Sequence, residues 1–160
     1  WDIRIPGATD VELPAAVQDA ANRILADTPA KVSIITRGRS WPLGAESRAE
    51  ALRIVEEALT NVRKHAEATE VSVEIEFGWR RLRLTVHDNG RGFDISDGER
   101  LAGHWGLLGM RERASRIRAR LRITSGPGVG TNVVVDAPRR SSILTWLGRS
   151  SVNGSDTDNR

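Results

Sequence analysis

The sequence predicts an α+β fold in two layers: a mixed, mostly antiparallel sheet with about three helices covering one face. Two observations lead there. The segments EVSVEIEF and RLRLTVHD alternate apolar and polar residues, the pattern of strands with one dry and one wet face. Between such segments lie others whose apolar residues recur at three- and four-residue steps, the period of an amphipathic helix. Elements that are dry on one side bury that side by stacking on each other.

In chain order, ELPAAVQDAANRILADT reads as a first helix, with Pro14 in its opening turn and Val17, Ala20, Ala21, Ile24 and Leu25 on one side. KVSIIT, residues 31–36, reads as a strand, and RGRSWPLGAES as a connection. Residues 47–67 form the clearest helix, because Leu52, Val55, Leu59, Val62 and Ala66 follow the helical period. The two alternating strands come next, Val71, Val73, Ile75 and Phe77 sharing a face of the first and Leu82, Leu84 and Val86 a face of the second, with a short hairpin at Gly78-Trp79. A polar stretch then leads to a third helix carrying Leu107, Met110, Ala114, Ile117 and Leu121. LRITS, GPGVG and TNVVVDA read as strand, turn and strand. Residues 1–9 are expected to connect to an upstream region, 10–137 to form one domain, and 138–160 to be a tail; the first residue, Trp1, suggests a piece of a longer chain.

The composition narrows the function. With 39% hydrophobic and 28% charged residues the chain is that of a globular domain, and 24 basic against 21 acidic residues leave too small a surplus to argue for nucleic acid. The absence of cysteine excludes a thiolate nucleophile, a disulfide framework and a cysteine-based zinc site. No apolar run approaches the roughly 20 residues that span a bilayer.

DNGRGF, residues 88–93, follows a strand, yet RGFDISDGERLAGH after it lacks the alternation a hairpin partner would show. Period two places Asp88 on the inward face with Leu82, Leu84 and Val86. Its carboxylate either bonds the backbone of its own Asn-Gly turn or receives an N–H from a ligand, with Gly90 and Gly92 leaving room for close approach. On the second helix, Glu57, Asn61 and Lys64 share a side away from the apolar stripe. That side is either solvated or the floor of a cleft, in which an acid and an amide hold Mg²⁺ and a lysine meets phosphate. His65 beside them carries no signal of its own. Gly106 and Gly109 in the first turn of the third helix suggest either a flexible start or a backbone that approaches a phosphate. The five arginines of RERASRIRAR form either a solvated basic face or a surface for polyphosphate or an acidic partner.

Taken together, EALTNVRKHA, DNGRGF, GHWGLLGMRERA and GPGVGTNV occur in the order and at the spacing of the N, G1, G2 and final Gly-Thr boxes, and the chain resembles the GHKL ATPase superfamily over residues 46–136. The wording is most similar to histidine kinases of the nitrate-sensor subclass. This resemblance implies a Bergerat-type sandwich that binds ATP and Mg²⁺, with residues 94–105 as a lid. It implies that Asp88 accepts from the adenine amino group, that Gly90, Gly92 and Phe93 lie about the base, and that Thr131 supports the adenine end. Asn61 would hold Mg²⁺; Lys64 and His65 would lie near phosphate and ribose; Gly106, Leu107 and Gly109 would border the triphosphate; and His104, in the lid, would be a further ATP-binding residue. Glu57 and Lys64 are the implied catalytic residues. The γ-phosphoryl group would pass to a histidine on a separate dimerisation domain and then to a response-regulator receiver. The implied setting is the cytoplasmic part of a membrane-bound, homodimeric sensor kinase, of which this piece would be monomeric and would lack the acceptor histidine. A nucleotide-gated interaction module without phosphotransfer and a nucleic-acid binder using the arginine helix are the alternative readings.

Overall fold

A computed structural model describes residues 12–94 and 105–139. The N-terminal connection, nearly all of the expected lid and the tail from residue 140 lie outside the described residues. The elements are α1 (Leu13–Ile24), β1 (Lys31–Gly38), α2 (Ala45–Asn61) continued by a π-helical turn (Val62–Ala66), β2 (Glu70–Phe77), β3 (Arg81–Asp88), α3 (Trp105–Arg116), β4 (Arg120–Gly126) and β5 (Gly130–Pro138). The sheet order is β1-β2-β3-β5-β4. β1 runs parallel to β2, and every other pair is antiparallel. A parallel pair needs a crossover, and α2 supplies it. The expected two-layer, mixed and mostly antiparallel architecture is therefore present.

The inner face of the sheet is apolar because alternation makes it so. Val71, Val73, Ile75 and Phe77 of β2 are buried beside Leu82, Leu84 and Val86 of β3 and Val133, Val135 and Ala137 of β5. α2 lies over them, touching α1 on one side and α3 on the other. Its buried face is formed by Ala51, Ile54, Val55, Ala58 and Leu59. Leu52, counted in the sequence as part of that face, sits at its border and is only partly buried.

Two helix ends depart from the sequence reading. α2 does not stay α-helical to Glu67: its last turn is π-helical, and Glu67 closes it in the left-handed region at φ 52°. The third helix ends at Arg116, so Leu121 belongs to β4. The physical reason is a double backbone cap, in which Ala119 N–H donates to Ala114 O at 2.8 Å and Arg118 N–H to Ser115 O at 3.0 Å. This is a Schellman closure, and it forces Arg118 to φ 55°.

The outer face carries an alternating row of charge. Register places Arg37 opposite Glu76, Glu76 opposite Arg83, Arg83 opposite Asp136, and Asp136 opposite Arg120. The centre of the row is a two-pronged pair, Arg83 Nε and Nη2 donating to the two Asp136 carboxylate oxygens at 2.8 and 3.2 Å. The hydrogen bond from Arg83 holds the Asp136 pKa below its ordinary value, outweighing burial, with the charges of Arg83, Arg81 and Arg122 adding to it. Opposite charges on facing strands favour this register, and a one-residue slip would put apolar residues in their place.

Two outcomes follow. Replacing Arg118 by glycine should raise the unfolding free energy by about 0.5–1 kcal/mol, since glycine occupies the left-handed position without strain; urea melts in which R118G proves less stable would contradict the cap. Because the folded-state pKa of Asp136 is depressed, the unfolded state takes up the proton first, and the pair's contribution is whole above about pH 4 and fades as pH falls through the lowered value. Asp136→Asn should therefore be less stable than the parent at neutral pH and lose less on acidification, which urea melts between neutral pH and the acid limb would show.

Candidate functional site

At the end of β3, Asp88 points inward as its parity requires and is 3% exposed, the single buried charged residue among those described. Its Oδ1 accepts a hydrogen bond from Gly90 N–H at 2.8 Å. Among the described residues no other protein hydrogen bond reaches the carboxylate, and Asp88 lines a cleft of about 320 Å³. Among the described residues no fully buried side-chain oxygen is left without a partner, so the second oxygen, which lacks one, retains some exposure. The Asx contact that the sequence offered as one reading is present: it fixes one oxygen and, among the described residues, leaves the other without a protein partner.

The segment that follows is no hairpin turn. Asn89 faces outward, its Oδ1 accepting from Thr69 N–H at 3.0 Å and Glu70 N–H at 2.9 Å. Arg91 N–H donates to Ala66 O at 2.8 Å, while Gly128 N–H donates to Arg91 O at 2.6 Å. Phe93 N–H reaches Ser125 Oγ at 3.0 Å. Residues 89–93 are thus stitched to the π turn on one side and to the β4–β5 hairpin on the other. The glycines meet protein backbone, where the sequence had suggested room for a ligand. A Cβ on Gly90 would strike Ala66 O, and one on Gly92, itself at φ 61°, would strike Gly126 O.

The cleft lies between this loop and the helix layer. Ala58, Val62 and Ala66 of α2 and the π turn face Val86 and Val133 of the sheet across it, giving flat apolar walls. Leu107 and Met110 close it from α3. Polar groups enter at the edges, Asp88 and Thr131 at the sheet end and Asn61, His65 and Arg91 at the helix side. Asp88 and Thr131 are register partners on neighbouring strands.

Of the residues singled out in the sequence, Asn61, His65, Asp88, Gly92, Phe93, Gly106, Leu107 and Thr131 line this cleft. Gly90 does not; it acts on the cleft through the N–H that holds Asp88. Lys64 is exposed and outside the lining, because a π turn, with hydrogen bonds reaching from i to i+5, winds less per residue than an α turn and carries Lys64 away from the side of Asn61. Glu57 also lies outside it, facing an open depression with Arg23, Arg53 and Arg63, its carboxylate so near Gly106 that a Cβ there would collide with Oε1. A Cβ on Gly109 would meet nothing within 4 Å, so no close neighbour accounts for that glycine. His104 lies outside the described residues. Sequence reading missed Arg91, Met110 and Ser125; the inward parity of Leu121, Ile123 and Ser125 on β4 was the available signal for the last.

Part of the arginine helix is committed to the fold. Arg113 and Arg116 each donate to the Glu50 carboxylate at 3.2 Å. Burial alone would raise the Glu50 pKa, but the hydrogen bonds and charges of these two arginines prevail and lower it. Among the described residues no helix is long and apolar enough to cross a membrane.

The cleft thus combines a buried carboxylate at a strand end, an apolar slot and an amide-bearing helix wall, and comparison with known proteins gives the class to which the chain belongs. Residues 46–141 match the family of histidine kinase-, DNA gyrase B-, and HSP90-like ATPases, and the chain belongs to that family. It is 38% identical over 104 residues to the signal transduction histidine-protein kinase/phosphatase DegS of Brevibacillus brevis, covering 65% of this chain and 26% of that protein. It is 35% identical over 136 residues to the sensor protein VraS of Staphylococcus haemolyticus, covering 85% of this chain and 38% of that one. Among solved structures, the histidine kinase domain of the blue-light activated histidine kinase of Erythrobacter litoralis superposes with a TM-score of 0.63 at 27% identity, over 79% of this chain and 64% of that one. The chain thus spans well under half the length of these curated relatives.

Gly92→Ala should cost about 2–3 kcal/mol, because it combines a left-handed backbone position with a backbone collision. A thermal melt unchanged from the parent would show that the loop is not clamped as described.

Proposed function

We propose that this chain is the ATP-binding catalytic domain of a two-component sensor histidine kinase. The observation that carries the reading is the Asp88 carboxylate, buried but half unpartnered, at the closed end of an apolar slot with Asn61 on its far wall. A purine fits the slot between Val62, Ala66, Val86 and Val133, and its amino group supplies the donor that the free carboxylate oxygen needs. The phosphates then run along the helix side, past Asn61 and His65 toward Gly106 and Leu107. Gly106 stands where a side chain would press on Glu57, which keeps that carboxylate at the mouth of the slot.

The fit for Mg²⁺ rests on the donor set. Among the described residues no group of three or more His, Cys, Asp or Glu forms a metal cage. A lone amide oxygen from Asn61 suits an ion that keeps several waters and arrives with phosphate. When bound, Mg²⁺ neutralises phosphate charge; the chain's own residues orient the nucleotide, shield its base and present its terminal phosphoryl group. The acceptor is a histidine on a separate dimerisation domain of the same kinase, and the phosphoryl group passes from there to a response-regulator receiver. The similarity to sensor kinases over a fraction of their length supports this reading, as does the fit of the slot. Glu57, at the mouth rather than in the slot, is placed to meet an incoming imidazole, and Lys64 contributes charge from the rim. The domain belongs to the cytoplasmic portion of a membrane-bound homodimer.

Calorimetric titration with a non-hydrolysable ATP analogue, with and without Mg²⁺, tests the reading. Asp88→Asn should lower affinity at least tenfold, roughly the loss expected when a donor faces a donor in a shielded site. Asn61→Ala should leave Mg²⁺-free binding nearly intact and remove most of the gain from the ion. Undiminished affinity in D88N would overturn the base assignment.

A further inference from the structure

Behind the polar end of the slot, outside its lining, the hydroxyl of Ser125 meets that of Thr131. Ser125 Oγ, on the inner side of β4, has three neighbours: Phe93 N at 3.0 Å, Gly130 O at 2.9 Å and Thr131 Oγ1 at 3.0 Å. The amide of Phe93 can only donate and the carbonyl of Gly130 can only accept. A serine hydroxyl has one proton and two lone pairs. Two oxygens at 2.9 Å with no proton between them repel, and Gly130 O has none to give, so the Ser125 proton points at Gly130 O. One lone pair is taken by Phe93 N–H. The other faces Thr131 Oγ1, and the Thr131 proton must fill it. Thr131 therefore spends its single proton on Ser125 and turns only lone pairs toward the slot it lines.

We infer that Ser125 is a positioning residue that sets base specificity, by locking the Thr131 hydroxyl as an acceptor. Asp88 is the register partner of Thr131 and is also an acceptor. The end of the slot then presents acceptors alone, which suits a 6-amino purine and repels a 6-oxo purine at the same place. The inference rests on the nucleotide reading above and deepens it. In the absence of Ser125 the Thr131 hydroxyl is free to rotate and donate, so a 6-oxo purine loses the part of its disadvantage that Thr131 imposed, while a 6-amino purine keeps its bond to Asp88.

The test compares ADP with IDP, its 6-oxo counterpart, neither of which has a γ-phosphate to lose, by calorimetry on the parent chain, S125A, S125T and T131V. The parent should prefer ADP. Ser125→Ala should reduce the ADP:IDP preference by about five- to tenfold, the effect of one buried hydrogen-bond mismatch. Ser125→Thr keeps the hydroxyl and should keep the preference. S125A combined with T131V should change it no further than T131V alone, because both act through one hydroxyl. Should S125A fail to fold, S125C replaces it, a thiol being a poor donor and acceptor in the same space. A folded S125A with the parental preference, or effects that add in the double variant, would overturn the inference. So would a parent that binds both nucleotides equally, although the nucleotide site would stand. A parent that binds neither would overturn the nucleotide site and this inference together.

Discussion

One N–H holds the site in place. The amide of Gly90, donating to Asp88 Oδ1, fixes a carboxylate at the end of β3 where water has been largely removed. Leaving such a group unsatisfied is unfavourable by a few kcal/mol, so the loop cannot relax away without exposing it. The loop is itself pinned by Arg91 N–H on the π turn and Phe93 N–H on Ser125. A short-range contact thereby sets the separation of the two slot walls. The pinning works only because glycine at 90 and 92 lets backbone lie on backbone.

The remainder of the fold serves to keep the two walls apart yet rigid. α2 lies over the sheet with its buried alanines and branched residues, so its polar side is turned to the slot only near its C-terminal end. There the π turn rephases the chain, placing His65 and Ala66 on the lining and Lys64 outside it. On the far side of the sheet, charges alternate from Arg37 to Arg120, and the closed Arg83–Asp136 pair favours the register of β3 on β5. Asp88 and Thr131 can then be neighbours only in one alignment. The Glu50 clasp on Arg113 and Arg116 joins α3 to α2, and so brings Leu107 and Met110 to the slot.

Much of this was legible in the residues. Period two alone put Asp88 inward, because three apolar residues of the same parity precede it. The failure of alternation after DNGRGF correctly argued against a hairpin. The order of the four sequence boxes indicated the ATPase family that the comparisons bear out. What could not be read were features in which two backbones negotiate. Val62 and Ala66 suit an α or a π turn equally, so the displacement of Lys64 was invisible. Leu121 fits the phase of the preceding helix, and only the left-handed Arg118 shows that the helix has already ended. Gly90 and Gly92 were read as space for a ligand, whereas their neighbours are carbonyls of distant strands and turns, which no local pattern names. For Ser125 the inward parity it shares with Leu121 and Ile123 could be read, but not the three partners that give the hydroxyl its part.

The proposed ligand site lies between the Asp88 end of the sheet and the Asn61 side of α2. It is tested most directly by following backbone and side-chain amides by NMR during titration with ADP and Mg²⁺. The amides of Gly90, Gly92, Phe93 and Thr131 and the side-chain amide of Asn61 should shift together along one saturating curve. Shifts confined to the opposite end of the sheet, around Trp41 and Trp79, with those five signals unmoved, would contradict it.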